Sequence, residues 1–255
     1  MEHDELIYGK NAVRELVLSG QPLNKVLLQK DQSGPGIQEI LGILRERKIP
    51  YQAVDRVLLD RLTEKKRHQG ILAYAAPKAY ADVEEMLSLA VQRQEDPCLV
   101  LLDQVEDPHN LGAVIRSLEA VGAHGVIIPK RRSVALTGTV AKTSAGALEY
   151  VPVARVSNLV QTLNHLKQAG CWVIGAEPGG AEIYDLDLTG PLVIVLGGEG
   201  KGISRLVREH CDGLVSIPMC GKINSLNVSV ATSIVLYEVF RQRRAKRREL
   251  VKTSP

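Results

Sequence analysis

From residue 98 onward, short apolar runs alternate with segments in which apolar residues recur at helical spacing. The runs contain few polar positions and are rich in Val, Ile and Leu, which is typical of strands buried on both faces of a parallel sheet. The strands predicted are Cys98–Asp103, Gly125–Pro129, Trp172–Gly175, Leu192–Leu196 and Leu214–Pro218. The helices predicted are 111–121, 139–148, 159–169 and Ser225 to about Arg244. This alternation predicts an α/β fold with a mainly parallel sheet.

The first 97 residues carry weaker signals of the same two kinds. Apolar residues recur at helical spacing after Asn11 and over Ile37–Lys48, which predicts helices there. Short apolar runs near Lys25 and Gly70 predict strands. A stretch of linker composition contains one modest helix. We therefore predict a small α/β domain at 1–75, a linker with a short helix (83–92) at 76–97, a larger α/β domain at 98–244 and a basic tail at 245–255.

Composition narrows the class of protein. The chain has 255 residues, of which 45% are hydrophobic and 4% aromatic, so the core must be aliphatic. No run approaches the roughly 18 apolar residues of a membrane span, and the acidic start differs from a signal peptide. The four cysteines are scattered and no histidine pair has metal-ligand spacing. We expect a cytoplasmic protein with reduced thiols, no metal and no membrane partner.

The basic residues are clustered although the net charge is only +3. One cluster consists of Arg61, Lys65, Lys66, Arg67 and His68, and another spans residues 241–248. Either could be a solvated helix face or a tail. Two such clusters on a near-neutral chain favour a polyanionic partner, because concentrated Lys and Arg side chains make phosphate contacts.

Three predicted loops follow strands at their carboxyl ends, where open α/β sheets bind ligands. The first is Asp107-Pro-His-Asn-Leu-Gly-Ala-Val-Ile-Arg116. Asn110 suits the N-cap of the following helix, and capping alone would account for it. Arg116, near a helix start, suits a phosphodiester. Its structural alternatives are pairing with Glu119 or extension into water.

The second loop, Leu196-Gly-Gly-Glu-Gly-Lys-Gly-Ile-Ser204, is rich in glycine but fits neither common nucleotide-binding motif. GxxxxGK[ST] fails because Gly202 follows Lys201, and GxGxxG fails at Ile203. Glu199 at its centre would also repel a polyphosphate. Glycines around a carboxylate better suit a neutral or cationic ligand that needs close backbone approach, such as the sulfonium of S-adenosyl-L-methionine.

The third loop is Gly221-Lys-Ile-Asn-Ser-Leu-Asn-Val-Ser-Val-Ala231, preceded by Ser216-Ile-Pro-Met219. The apolar residues before it could form a wall for a flat adenine ring. Ser225 or Asn224 would cap the terminal helix, which places Asn227 and Ser229 inside its first turns, where propensity disfavours them. This excess of polar side chains predicts a site.

Together the three loops resemble the three motifs of the SpoU (TrmH-type) RNA 2′-O-ribose methyltransferases. Ile7-Tyr-Gly-Lys-Asn-Ala-Val and His68-Gln-Gly-Ile resemble the ribosomal-protein-L30e-like substrate-binding domain of the 23S rRNA guanosine-2′-O-methyltransferase branch. The resemblance implies a SPOUT-type α/β trefoil-knot catalytic domain preceded by a small L30e-like α/β domain. Such a knot is a rare connection. It also implies a homodimer through the knot region, S-adenosyl-L-methionine as cofactor and RNA, specifically large-subunit rRNA, as substrate.

The resemblance also assigns roles to residues. The catalytic set is Asn110, Arg116, Glu199, Ser225 and Asn227. The cofactor-binding set is Leu196, Gly197, Gly200, Ile217, Met219 and Leu226. The predicted RNA-binding set comes instead from the first basic cluster and consists of Arg61, Lys65, Lys66, Arg67 and His68. The basic tail has no counterpart in the pattern.

The reaction implied is transfer of a sulfonium methyl to a ribose 2′-hydroxyl. The very high pKa of a free arginine argues against Arg116 as a simple base. We expect Arg116 to hold a phosphate and stabilise the developing alkoxide, leaving a substrate phosphate, Glu199 or water as proton acceptor. A tRNA 2′-O-methyltransferase and a non-catalytic RNA-binding ribosome-assembly protein are the alternatives. A nucleotide-dependent dehydrogenase is excluded by the glycine spacings.

Overall fold

The computed structural model describes residues 6–222 and 225–253, with side chains up to residue 249. The chain divides into two compact units: residues up to 79 together with 135–141, and residues 80–134 together with those from 142 onward. Within the first unit, Asn24 donates a hydrogen bond to the carbonyl of Leu136. No helix among the described residues is long and apolar enough to cross a membrane.

The first unit contains a four-stranded mixed sheet and three helices. Its strands are β1 (Leu6–Tyr8), β2 (Leu23–Gln29), β3 (Tyr51–Val54) and β4 (Ile71–Ala75), in the order β1-β4-β2-β3. Only the β2–β3 pair is parallel. Helices α1 (Lys10–Leu18), α2 (Pro35–Glu46) and α3 (Arg56–Leu62) lie wholly in this unit, which also includes residues 138–141 of a later helix. The pattern of apolar residues did not predict β1 and β3, because they are short edge strands and β3 has three exposed residues.

The second unit is built on a six-stranded sheet in which every pairing is parallel, which confirms the predicted fold class. Its strands run in the order β10-β8-β9-β5-β6-β7. They are β5 (Cys98–Asp103), β6 (Gly125–Pro129), β7 (Val153–Val156), β8 (Trp172–Glu182), β9 (Leu192–Gly197) and β10 (Gly213–Ser216). All residues of the central β5 are buried, as its uninterrupted apolar run predicts.

Six helices cover this sheet or connect its strands. They are α4 (Val83–Gln92), α5 (Pro108–Val121), α6 (Gly138–Thr143), α7 (Leu159–Gln168), α8 (Arg205–Glu209) and α9 (Val228–Thr253). The single helix predicted at 139–148 is interrupted after Thr143, because Ala145 and Gly146 both have positive φ. A 3-10 turn follows at Ala147–Glu149, and another lies at Ile183–Asp185.

Two segments differ from their predicted character. Helix α4 lies in the stretch predicted to be a linker, yet it belongs to the second unit. Its Met86 is fully buried among side chains such as Leu99 and Leu101. Helix α9 continues nine residues beyond its predicted end at about Arg244, so residues 245–253 are helical.

Candidate active site

A cavity of about 710 Å³ opens where β8, β9 and β10 meet the start of α9. Its size is typical of a cavity that binds a small molecule or cofactor. It is lined by all six residues of the predicted cofactor-binding set, namely Leu196, Gly197, Gly200, Ile217, Met219 and Leu226. Glu199, Ser225 and Asn227 of the predicted catalytic set line it as well. The second and third loops of the sequence therefore meet at one site.

The glycine-rich loop folds back closely on itself and on the end of β5. The amide of Gly198 donates to the carbonyl of Asp103 at 2.8 Å, and that residue's buried carboxylate accepts from the amide of Ser204 at 2.8 Å. A Cβ on Gly197 would lie 1.9 Å from the carbonyl carbon of Gly202. Only glycine permits this backbone contact. The loop thus presents main-chain groups to the cavity.

The cavity wall contains a second carboxylate, Glu177, which the sequence pattern did not predict. One of its oxygens accepts a hydrogen bond from the amide of Ile203 at 2.8 Å, and the other lies 3.2 Å from Nε of Arg208. Its side chain therefore fixes the far end of the glycine-rich loop. The only sequence signal was a carboxylate directly after the apolar run of β8.

Asn110, Glu199 and Asn227 form a closed hydrogen-bonded group at the edge of the cavity. Asn227 Nδ2 donates to Glu199 Oε1 at 2.6 Å and to Asn110 Oδ1 at 2.9 Å. Asn110 Nδ2 donates to Glu199 Oε1 at 3.2 Å. One residue from each of the three predicted loops takes part, and we call this group the Asn-Glu-Asn group.

The caps of the two neighbouring helices differ from expectation. Helix α9 begins at Val228, so Asn227 precedes it, and Asn227 Oδ1 accepts from Ser229 N at 2.9 Å and from Ser229 Oγ at 2.6 Å. The expectation that Ser225 caps α9 and that Asn227 lies inside it was wrong. Asn224, the other expected cap, lies outside the described residues.

A similar correction applies to α5, which begins at Pro108. Its cap is Asp107, whose Oδ1 accepts from the amide of His109 at 2.9 Å. Asn110 therefore lies in the first turn, where its buried amide is available to the Asn-Glu-Asn group. Capping does not account for Asn110.

Arg116 is the member of the predicted catalytic set that this chain does not bring to the cavity. It is exposed on α5, six positions after Asn110, which turns it about 240° around the helix from that residue. Among the described residues it makes no hydrogen bond or ion pair, so the expected alternative of a Glu119 pair does not occur. Its guanidinium faces solvent.

Four of the five predicted RNA-binding residues form an exposed basic turn in the first unit. Arg61, Lys65, Lys66 and Arg67 are exposed, and Lys66 makes only a long contact with Glu64, 3.9 Å. We call these four residues the basic turn.

His68, predicted to contact RNA with them, is instead buried and structural. Its Nε2 lies 2.9 Å from Asp60 Oδ1, and its Nδ1 accepts from the amide of Gly70 at 2.9 Å. Both ring nitrogens are therefore occupied within the fold.

The described residues offer no metal site, and two of their cysteines are thiols whose pKa is raised. They contain no cluster of His, Cys, Asp and Glu side chains that could hold a metal ion. Burial raises the pKa of Cys98 and of Cys211 to about 11, so both thiols remain protonated near neutral pH.

Two family models match the chain. The SpoU rRNA Methylase family matches residues 97–237, and the model described as RNA 2′-O ribose methyltransferase substrate binding matches residues 6–81. A Staphylococcus aureus protein assigned to the TrmH family of tRNA/rRNA methyltransferases is 48% identical over 241 residues. That alignment covers 94% of this chain and 97% of the relative.

Solved structures agree with these matches. The SpoU methyltransferase AviRb from Streptomyces viridochromogenes, solved in complex with AdoMet, aligns with a TM-score of 0.61 at 27% identity. The alignment covers 94% of this chain and 90% of the other. The TrmH/SpoU tRNA modifying enzyme of A. aeolicus aligns with a TM-score of 0.54 at 31% identity, covering 64% of this chain and 85% of the other.

Proposed function

The chain belongs to the SpoU rRNA methylase family and is an RNA methyltransferase that uses S-adenosyl-L-methionine; on this premise we propose that it methylates a ribose 2′-hydroxyl, specifically that of a guanosine in 23S rRNA. The observation that carries the proposal is the cavity whose wall joins the glycine-rich loop to the Asn-Glu-Asn group. The match of residues 6–81 to a 2′-O ribose methyltransferase substrate-binding model supports the ribose hydroxyl as acceptor. We further propose that the enzyme acts in the cytoplasm.

The residues lining the cavity fit the cofactor. Leu196, Ile217, Met219 and Leu226 offer apolar surface to an adenine ring, and the tight turn at Gly197 lets main-chain groups approach a polar ligand closely. When bound, S-adenosyl-L-methionine supplies a methyl group on a positively charged sulfur. Backbone recognition of this kind leaves the side chains of the Asn-Glu-Asn group for the RNA.

We assign roles to the catalytic set from its geometry. Asn227 and Asn110 each donate one hydrogen bond to the Glu199 carboxylate, and Asn227 also donates to Asn110, so the three side chains act as one preorganised unit that orients the ribose. Ser225 lies on the cavity wall and positions the same sugar. Arg116, exposed and without a described partner, binds a phosphate of the RNA and stabilises the alkoxide that develops on the 2′-oxygen. The proton acceptor is a substrate phosphate, Glu199 or water.

The domain organisation completes the proposal. Residues 1–75 bind RNA, 76–97 link the domains, 98–244 carry out methyl transfer and 245–255 form a basic extension. We also propose that the carboxyl end of the catalytic domain forms a trefoil knot, and that the enzyme is a homodimer through the knot region.

Two experiments test the function. Mapping 2′-O-methylation in rRNA and tRNA from cells with and without the protein should reveal one guanosine of 23S rRNA that loses its methyl group. Loss of a tRNA methyl group instead would favour the second candidate, a tRNA 2′-O-methyltransferase, which the A. aeolicus likeness supports. Calorimetry with S-adenosyl-L-methionine should show binding, and absence of heat would favour a non-catalytic RNA-binding protein.

A further inference from the structure

Three consecutive cations begin the loop that follows β6 in the second unit. Lys130, Arg131 and Arg132 come directly after the strand, and both arginines are exposed. In the described part of the chain, neither guanidinium takes part in a hydrogen bond or an ion pair. We call Arg131 and Arg132 the arginine pair. The pair lies outside every residue set predicted from the sequence.

The backbone on either side of the arginine pair is fixed, so the two side chains leave the protein from a defined position. The amide of Lys130 donates to the carbonyl of Val156 at 2.8 Å. The amide of Val134 donates to the carbonyl of Val105 at 3.0 Å. This second bond attaches the loop to the turn that follows β5 and leads to Asn110.

The register of the sheet places the arginine pair on the same edge as the Asn-Glu-Asn group. Extending the pairing of β5 and β6 to their last residues makes Asp103 and Pro129 level with each other. Asp103 is also paired with Gly197, the last residue of β9. Glu199 and Arg131 each follow two positions after these strand ends. Because neighbouring strands are about 4.8 Å apart, the loops after β9 and β6 begin roughly 10 Å from each other.

Arg132 has a backbone conformation that is more favourable for glycine. Its φ of 56° lies in the left-handed region, where a Cβ is unfavourable. No contact of its guanidinium with the described residues offsets this cost. An unfavourable backbone that carries an unpartnered cation is typical of a side chain that acts on a ligand.

We propose that the arginine pair binds backbone phosphates of the substrate RNA within about three nucleotides of the methylated one. A separation of roughly 10 Å corresponds to about three nucleotides at roughly 3.4 Å for each stacked nucleotide. Guanidinium groups match the geometry of phosphate oxygens. The inference rests on the proposed function, because the distance is counted from the ribose that the Asn-Glu-Asn group orients. It assigns the arginine pair to positioning the strand that carries the reacting ribose.

Two other anions are less suited to the arginine pair. S-adenosyl-L-methionine has a carboxylate, but its cavity lies at β8, β9 and β10, and neither arginine lines it. Strand β5 lies between that part of the sheet and β6. Glu106 is exposed in the neighbouring turn, and within the described residues it forms no ion pair with either arginine. A phosphate of the RNA supplies the negative charge that these groups do not.

The main test compares Arg131→Ala/Arg132→Ala with a variant that removes equal charge from the same unit. Arg93→Ala/Lys167→Ala is the control, because both side chains contact groups of the second unit and come before strands, at the amino-terminal edge of the sheet. Binding of a 23S rRNA transcript is measured as a function of salt. Loss of two phosphate contacts should weaken binding roughly tenfold and reduce the salt slope by about 1.4.

Steady-state kinetics add a readout that a merely structural role would not produce. In Arg131→Ala/Arg132→Ala, KM for the transcript should rise with kcat nearly unchanged, because a phosphate contact is equally strong in the ground state and the transition state. Affinity for S-adenosyl-L-methionine should stay at the wild-type value. A loss of cofactor affinity with an unchanged KM for RNA would overturn the inference and assign the pair to the cofactor.

Arg132→Gly separates RNA binding from folding. The substitution relaxes the left-handed backbone, so the melting temperature should not fall. It also removes one cation, so the salt slope should fall by about 0.7. A lower melting temperature with an unchanged salt slope would show that Arg132 is structural.

The position along the RNA is tested with an oligonucleotide of the 23S rRNA segment that contains the methylated guanosine. Single phosphates are replaced by uncharged methylphosphonates. Replacement within about three nucleotides of the guanosine should weaken binding of the wild type more than that of Arg131→Ala/Arg132→Ala. Equal weakening of both proteins at every position would overturn the proposed placement.

Failure of this inference can be told apart from failure of the proposed function. An unchanged salt slope in Arg131→Ala/Arg132→Ala, with a wild-type enzyme that methylates the ribose, overturns the inference alone. If the wild type methylates a base of the transcript instead, the proposed function fails. The salt slope measured with the same transcript then still decides whether the arginine pair contacts phosphates.

Discussion

The Asn-Glu-Asn group and the basic turn show two ways of presenting polar side chains. In the first, three side chains from distant loops satisfy one another at 2.6 to 3.2 Å, and Asn227 also caps a helix. In the second, four cations stand exposed with almost no partner. Preorganised groups suit chemistry, because their orientation is fixed before the substrate arrives. Unpaired cations suit binding, because each gains a phosphate without losing an internal contact.

Arg116 fits neither case of this comparison, because it is exposed like the residues of the basic turn but is expected to act in catalysis. We predict that Arg116→Ala lowers kcat by about 10²- to 10³-fold, as expected for loss of one group that stabilises a developing oxyanion. Affinity for S-adenosyl-L-methionine, measured by calorimetry, should stay nearly unchanged because Arg116 does not line the cavity. A rise in KM for RNA with normal kcat would place Arg116 with the binding cations instead.

Gly197→Ala tests the preorganised side of the comparison through the backbone. The added Cβ would lie 1.9 Å from the Gly202 carbonyl carbon, so the loop must open. We predict that affinity for S-adenosyl-L-methionine falls by about 100-fold in calorimetry. Gly190→Ala is the matched control, because no atom lies within 4 Å of its added Cβ and its φ is not positive. Equal effects in both variants would show that the loop geometry is unimportant.

The sequence predicted the central strands because a long apolar run has few alternatives to burial. It did not predict β7, since Val153–Val156 is a short strand at the edge of the sheet. It also could not foresee that the carboxyl end of α9 is fixed by Arg243, whose partners are carbonyl oxygens remote in sequence. Every residue has a main-chain carbonyl, so a contact with one cannot be predicted from the pattern of residue types.

Within the candidate site, the sequence predicted which loops take part, but it did not predict which side chains contact one another. Several adjacent Ser and Asn side chains can cap one helix, and propensity does not choose among them, so Asn227 was misplaced. Glu177 was missed because its partner is the amide of Ile203, which any residue offers. His68 was grouped with its charged neighbours, although a histidine ring can also be buried and hydrogen-bonded within the fold.

Asn227→Ala should separate the two functions of that side chain. Loss of its cap should lower the free energy of unfolding by about 1 kcal/mol. Loss of its contacts to Glu199 and Asn110 should lower kcat by at least about tenfold. Asn158→Ala is the matched control, because Asn158 caps α7 through the amide of Gln161 at 3.1 Å and lies in no proposed site. Thermal unfolding and methyl-transfer assays of both variants check the prediction.

Comparable loss of stability in both variants, with loss of activity only in Asn227→Ala, would support a catalytic role for the group. Full activity in Asn227→Ala would mean that Asn227 acts only as a structural cap of α9.

The smallest effect is expected at the basic turn. Arg61→Ala/Arg67→Ala should raise KM for an rRNA transcript a few-fold and reduce the salt slope of binding by about 1.4, with kcat unchanged. Arg14→Ala/Lys30→Ala is the control, because it removes equal charge from the same unit at side chains paired with Glu39 and Asp55. An unchanged salt slope in Arg61→Ala/Arg67→Ala would mean that the basic turn makes no contact with phosphates of the RNA.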